Sequence, residues 1–299
     1  MANITVTEAA NFIPEIWAAN ALGALKANTV MARLVNRNYE NEVAQMGDIV
    51  HVPVRGALSV NDKTANAVYT LQTPSASVVN VTLNKHKEIS FLVEDVAKAQ
   101  ANQDIIAGYI EDGMKALGEQ IDSDLLALYS GFSATPVDAT AGITVAKIVE
   151  ARRLLNAAKV PLDGRVVVWH EDAEAEVLQL AQFTSAQEDP ANADALRNAT
   201  LGRKFGFTHY LDQQVKIAAA EAKNMVFHRD AMTLVTRPLP MVPQGMGAQS
   251  AVMNEDGISI RVVWSYNPSY GGIQVTMDVL YGVAELRDAF GLVIRSTEV

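Results

Sequence analysis

The chain has 299 residues, enough for two subdomains sharing a core, and its 49% hydrophobic and 19% charged residues read as folded rather than disordered. It contains no cysteine, which excludes disulfides, thiol catalysis and cysteine-ligated metal sites. A formal net charge of −10 argues against a general nucleic-acid binder, because phosphate contacts need a basic surface; an acidic container could still hold DNA without gripping it.

No basic start followed by an apolar core marks a signal peptide, and no run approaches the roughly 18 apolar residues of a membrane span. Residues 1–45 begin with a polar lead, followed by a loose amphipathic stripe through Ile16, Trp17, Leu22, Leu25, Val30 and Leu34, with Pro14 suited to a first helical turn. A tryptophan this close to a terminus needs something to bury it. Ile16, Trp17 and Leu22 are therefore candidates for contact with a neighbouring subunit.

From Gly47 the pattern turns to strands. GDIVHVPVRG and SVVNVTLNKHKEISFLVED both alternate, and the stretch between them is polar and turn-rich. This predicts a long two-stranded arm with an irregular tip near Lys63 and Tyr69. An isolated two-stranded hairpin is marginal in water, so the arm should rest on another chain, with Lys63 and Tyr69 as contact candidates.

Residues 96–130 then carry Ile106, Ile110, Met114, Leu117, Ile121, Leu125 and Leu128 at spacings of three or four, which predicts one long amphipathic helix. A helix of about 30 residues would be about 45 Å long. Glu111, Asp112, Asp122 and Asp124 are expected on its solvated side. Gly108, Gly113 and Gly118 each lower helix propensity by about 1 kcal/mol against alanine; they read first as close-packing sites and, in a sharper reading, as places where the helix bends. Sustained heptads are missing, which sets a coiled coil aside.

A second helix is expected after Thr144 with Val145, Ile148, Val149 and Leu155 inward, then the strand RVVVWH and a helix over EDAEAEVLQLAQF, an α/β layer. The polar stretch before Leu201 is a loop. Strands follow around 202–215 and 223–228, with a short helix at RDAMTLVT and a proline-rich connector after it. The last third is strand-rich: SAVMN, ISIRVVWSY, IQVTMDVLYGVAEL and LVIRS.

Chemical motifs fail on inspection. His228-Arg229-Asp230 resembles a kinase catalytic loop, but Val235 stands where the asparagine is needed. His170-Glu171 begins like a zinc-protease helix, but Glu174 replaces the second histidine. His51, His86, His170, His209 and His228 are scattered without ligand spacing. No catalytic, cofactor-binding or metal-ligating set is expected.

Five stretches in order, FIPEIWAANAL, GDIVHVP, NATLGRKFGF, NMVFHRDAMTLVTRPL and VTMDVLYGVAELRDAFGLVI, resemble the major capsid (coat) proteins of tailed phages with the Hong Kong 97 fold. The resemblance implies an α+β chain: an N-terminal arm over 1–45 and an extended loop over 46–93. It also implies a peripheral domain from 94–143 with about 224–280, including a spine helix over 96–130, and an axial α/β domain from 144–223 with about 281–299. It implies a structural virion protein, not an enzyme, that self-assembles into an icosahedral shell around double-stranded DNA. The implied partners are copies of itself in pentamers and hexamers, a portal protein and a decoration protein. A separate scaffolding protein is also expected, since the chain starts directly at the arm. The resemblance further implies assembly in the host cytoplasm, no membrane and no cofactor. Some members crosslink a loop lysine to an asparagine on another subunit, and Lys63 is the candidate here. The spine glycines 108, 113 and 118 would be the hinge when such shells expand. An encapsulin-like compartment shell shares the fold and is the nearest alternative; an α/β enzyme is the distant one.

Overall fold

The spine helix is the seam between two sheets. The computed structural model describes residues 30–39, 49–56, 58–73, 76–95, 104–184, 201–237, 239–243, 247–255 and 258–297. Helix α1 (Met31–Leu34) is a single turn, and α2 (Asp104–Leu126) is the spine, tightening into a 3-10 turn over Ala127–Gly131. Ile110, Met114, Leu117, Ile121 and Leu125 are all buried, so the spacing of three and four does lay one apolar face against the protein. Residues 96–103, expected to open this helix, lie outside the described residues.

The arm is shorter than its alternation suggests. Strand β1 (Ile49–Arg55) pairs antiparallel with β2 (Ala76–Thr82), from Ile49 opposite Thr82 to Arg55 opposite Ala76. At Leu83–Asn84 the run breaks, and β3 (Lys85–Glu94) crosses into a different sheet, pairing with β13 (Gly272–Glu285). One long expected strand is therefore two, because its second half finds a partner inside the body of the protein.

That second sheet has five strands: β3, β13, β12 (Ile258–Asn267), β11 (Ala248–Glu255) and β10 (Met232–Arg237). The helix expected at RDAMTLVT is corrected: only Arg229–Ala231 turn, and Met232–Arg237 form a strand opposite Leu280–Glu285. A run with alternating Thr233, Val235 and Leu234, Met232 is buried on both faces, which β-branched residues favour in a sheet.

The seven-stranded sheet runs β4 (Val137–Asp138), β14 (Gly291–Thr297), β9 (Glu221–His228), β5 (Arg165–Trp169), β7 (Phe207–Leu211) and β6 (Arg203–Lys204), with β8 (Ile217–Ala218) beside β9. One face carries α3 (Val145–Ala157), α4 (Glu171–Leu178) and α5 (Ala181–Thr184): Ile148, Ala151, Leu155, Ala173 and Val177 pack with Val167, Trp169 and Val226. Val149, expected inward, is exposed, because the buried stripe of α3 falls on 148, 151 and 155. The opposite face supplies Val166, Val168, Met225 and Phe227 to the cluster that holds the spine. Ile260, Val262, Val275 and Met277 of the five-stranded sheet join the same cluster, so the spine is buried between both sheets. Among the described residues no helix is long and apolar enough to cross a membrane.

Candidate functional site

The feature with the clearest capacity to act on another molecule is the end of the arm. Residues 58–73 link β1 to β2, and their large apolar side chains stand in water: Val60 is 97% exposed, Leu71 92%, Val68 91%, Tyr69 73% and Leu58 66%. The loop is still shaped. Ser59 donates its N–H to the Gln72 side chain at 3.0 Å and accepts from it, and Ala67 donates to the Thr64 carbonyl across a turn in which Asn66 takes φ +61°. The Lys63 ammonium sits 4.5 Å from the centre of the Tyr69 ring, beside a polar cup of about 220 Å³ lined in part by Ser59, Asp62 and Val68.

The base of the arm is anchored. Val50, Val52, Val81 and Leu83 bury against Val235 and Leu286. Gly282 permits the approach of β2, since a Cβ there would strike the Thr82 carbonyl oxygen. A fixed base with an apolar tip is the arrangement of an interaction surface, because exposed apolar groups clustered on one element mark contact sites. Fully burying a Val or Leu side chain stabilises by about 1.5–3 kcal/mol, so several together are a substantial drive to association. The structure brings Lys63 and Tyr69 together at this tip; Ile16, Trp17 and Leu22 lie outside the described residues. The apolar residues scattered through the polar tip sequence were the signal for this surface.

The spine carries polar anchors that the periodicity hides. Asp122 and Asp124, expected on the solvated side, are corrected to partners of the interior. Asp124 accepts from the Tyr281 hydroxyl at 2.6 Å and from the Lys85 ammonium at 3.0 Å, tying α2 to β13 and β3. Burial works to raise this carboxyl, but the hydrogen bonds from Tyr281 and Lys85 outweigh it and hold it below its ordinary value. Burial, and then Asp124 itself, push the Tyr281 hydroxyl upward. Gly113 faces β13 and β3: an added Cβ would lie 2.5 Å from Cε of Met277 and 3.5 Å from Ile89. Gly118 is buried on the same helix, and Gly108 lies within its first turns.

The histidine motifs are structural. His228 accepts the Asp230 N–H at 3.1 Å and His170 accepts the Asp172 N–H at 3.4 Å, so each opens a helical turn. His209 is buried: Trp169 Nε1 donates to its Nδ1 at 3.0 Å, which leaves Nε2 to donate to the Lys204 carbonyl at 3.3 Å. Burial pulls this ring down to about 4, so it is neutral near pH 7. The Lys204 ammonium donates to the carbonyls of Gln182 and Phe183, fastening α5. Among the described residues no group of three or more His, Asp or Glu is placed to hold a metal ion.

Comparison with known proteins bears on this arrangement. The family described as phage capsid protein matches residues 44–237, well over half of the chain. The chain belongs to the phage capsid protein family. No curated protein sequence matches it. Among solved structures it is similar to one from Mycobacterium phage Che8, at 22% identity and TM-score 0.66, covering 89% of this chain and 90% of that one. It is also similar to the capsid structure of Cyanophage P-SCSP1u, at 14% identity and TM-score 0.64, with 91% and 89% covered. A third is the asymmetric unit of the bacteriophage PhiM1 mature capsid, at 13% identity and TM-score 0.60, with 86% and 84% covered. The α+β fold is that of Hong Kong 97-type capsid proteins, and this phage capsid protein is a structural shell subunit.

Proposed function

We propose that this major capsid protein of a tailed double-stranded DNA phage builds its icosahedral shell as pentamers and hexamers, by laying its arm over neighbouring copies. The observation that carries this reading is the apolar tip at 58–73 on a buried base. Rings and shells use heterologous contacts that close around symmetry axes, and a stable contact needs roughly 1,000 Å². The tip, with Ile16, Trp17 and Leu22 of the N-terminal arm, would contribute that area.

The rest of the reading follows from the same assignment. The five-stranded sheet with the spine forms the peripheral domain and the seven-stranded sheet the axial one. Strand pairing then moves all of β9 to the axial side and all of β13 to the peripheral side. The shell encloses its DNA without sequence-specific binding, works with a separate scaffolding protein, a portal and a decoration protein, and assembles in the host cytoplasm. It acts without catalysis. Lys63 is the residue to examine for a covalent crosslink. The spine bends at Gly108, Gly113 and Gly118 when a precursor expands, with Gly113 also needed for close packing against Met277.

Sedimentation velocity of the purified protein, alone and with its scaffolding protein, tests the reading. It predicts ring-sized species and closed particles. A chain that remains a monomer or dimer at every concentration and in both mixtures contradicts it.

A further inference from the structure

The root of the N-terminal segment is held by a carboxylate buried in the spine. Asp122 of α2 is buried, and its Oδ2 accepts the Val30 N–H at 2.9 Å. The amides of Met31 and Ala32, in the first turn of α1, also serve it. Its other oxygen, Oδ1, has no hydrogen-bond partner among the described residues. Asp212, buried in the turn after β7, is in the same position: it donates its N–H to the Trp169 carbonyl, accepts the Gln214 N–H on Oδ1 at 2.8 Å, and leaves Oδ2 without a partner.

The neighbouring charges do not neutralise the pair directly. From the axial turn, Lys216 lies 2.5 Å from the Ser123 hydroxyl. From α1, Arg33 is exposed; on α2 itself, Glu119 is exposed and Asp124 is held by Tyr281 and Lys85. Two buried carboxyls that repel each other favour holding a proton. Burial first, and Asp212 second, raise Asp122 to about 7, while burial raises Asp212. Downstream the segment is pinned differently, by main-chain bonds between Asn36 and β10 (3.0 and 3.1 Å) that carry no titrating group.

We propose that the Asp122–Asp212 pair is a proton-dependent latch. With its proton, the pair holds residues 30–35 against the spine; without it, the two carboxylates repel and the root of the N-terminal arm loosens. The three parts it joins are the arm root, the spine and the axial turn, so its state sets how firmly the arm leaves the body. This inference concerns the folded subunit and stands apart from the shell assignment.

The sign follows from linkage. Opening returns Asp122 from about 7 to its ordinary 3.8, so the closed form binds the extra proton between those values. Closure therefore weakens about tenfold per pH unit as pH rises through that window, and is level above it. The experiment is hydrogen exchange on the full-length chain at pH 5, 6, 7 and 8, kept in one assembly state and corrected for the intrinsic pH dependence of exchange. Protection of residues 30–35 is expected to fall roughly 100-fold from pH 5 to 7 and then level off, while residues 114–125 stay flat. Asp122→Asn should hold 30–35 closed at all four values, and Asp212→Asn should shorten the fall by removing the repelling partner. Flat protection in the wild type, or an unchanged fall in Asp122→Asn, overturns the latch. Should Asp122→Asn not fold, a wild-type-like fall in Asp212→Asn overturns it as well.

Discussion

Leu117 and Leu71 are the same residue in opposite surroundings. Leu117 is buried between the spine and the sheets, whereas Leu71 stands almost wholly in water at the end of the arm. Burial of the first stabilises the subunit by about 1.5–3 kcal/mol; the second gives the isolated subunit almost nothing. The contrast extends to whole regions. The spine has every apolar position of its stripe covered and its carboxylates paired with β3, β13 and α1, while the tip keeps five large apolar side chains uncovered on a base that is firmly packed. One region makes the chain fold, and the other is completed by another copy.

Substitutions can sharpen or break this division, and the largest effect on subunit stability should come from the spine. Ile121→Ala, which opens a cavity at a fully buried site, is expected to lower unfolding free energy by about 2–5 kcal/mol in urea titrations. A loss under about 1 kcal/mol would mean that the spine is not the core of the subunit. Next comes acid. His209 is held near 4 in the folded chain against 6.5 unfolded, so the unfolded chain binds more protons between those values. Stability from this site is complete above pH 6.5 and falls as the pH drops to 4, by roughly 3 kcal/mol. The difference in unfolding free energy between wild type and His209→Gln, followed from pH 7 to 4, isolates it from the opposite trend at Asp122.

Gly113→Ala should act more weakly, because the gain in helix propensity offsets part of the clash with Met277. A net destabilisation of about 1 kcal/mol is expected by thermal unfolding. A clear stabilisation would show that the helix and β13 have room to spare and would strengthen the case for a hinge there. The smallest effect belongs to the tip: Val60→Ser with Leu71→Ser should change subunit stability by no more than about 0.5 kcal/mol while sharply lowering particle yield. A variant that unfolds, or one that assembles normally, would erase the distinction between the two regions.

Much of the architecture was legible because it rests on periodicity. The spine stripe from Ile110 to Leu125 and the α/β layer around RVVVWH follow from spacings that any reader of the chain can count. The rest depended on partners distant in sequence. Nothing local marks Leu83–Asn84 as the point where one strand becomes two, since β3 is drawn away by β13 almost 200 residues later. Met232–Arg237 looks helical until its pairing with Leu280–Glu285 is known. Asp122 and Asp124 resemble solvated helix positions because the amide of Val30 and the hydroxyl of Tyr281 that use them are 92 and 157 residues away. The candidate contact surface was half legible: Lys63 and Tyr69 were placed at the tip by the turn-rich stretch, but the exposure of Leu58, Val60, Val68 and Leu71 needed the fold.

Cryo-electron microscopy of the assembled particles tests the central claim most directly. The account predicts closed shells in which residues 58–73 of each subunit lie against a neighbouring subunit, with Val60, Val68, Tyr69 and Leu71 covered. Shells whose arm tips stand free in solvent, or preparations without shells, would contradict it.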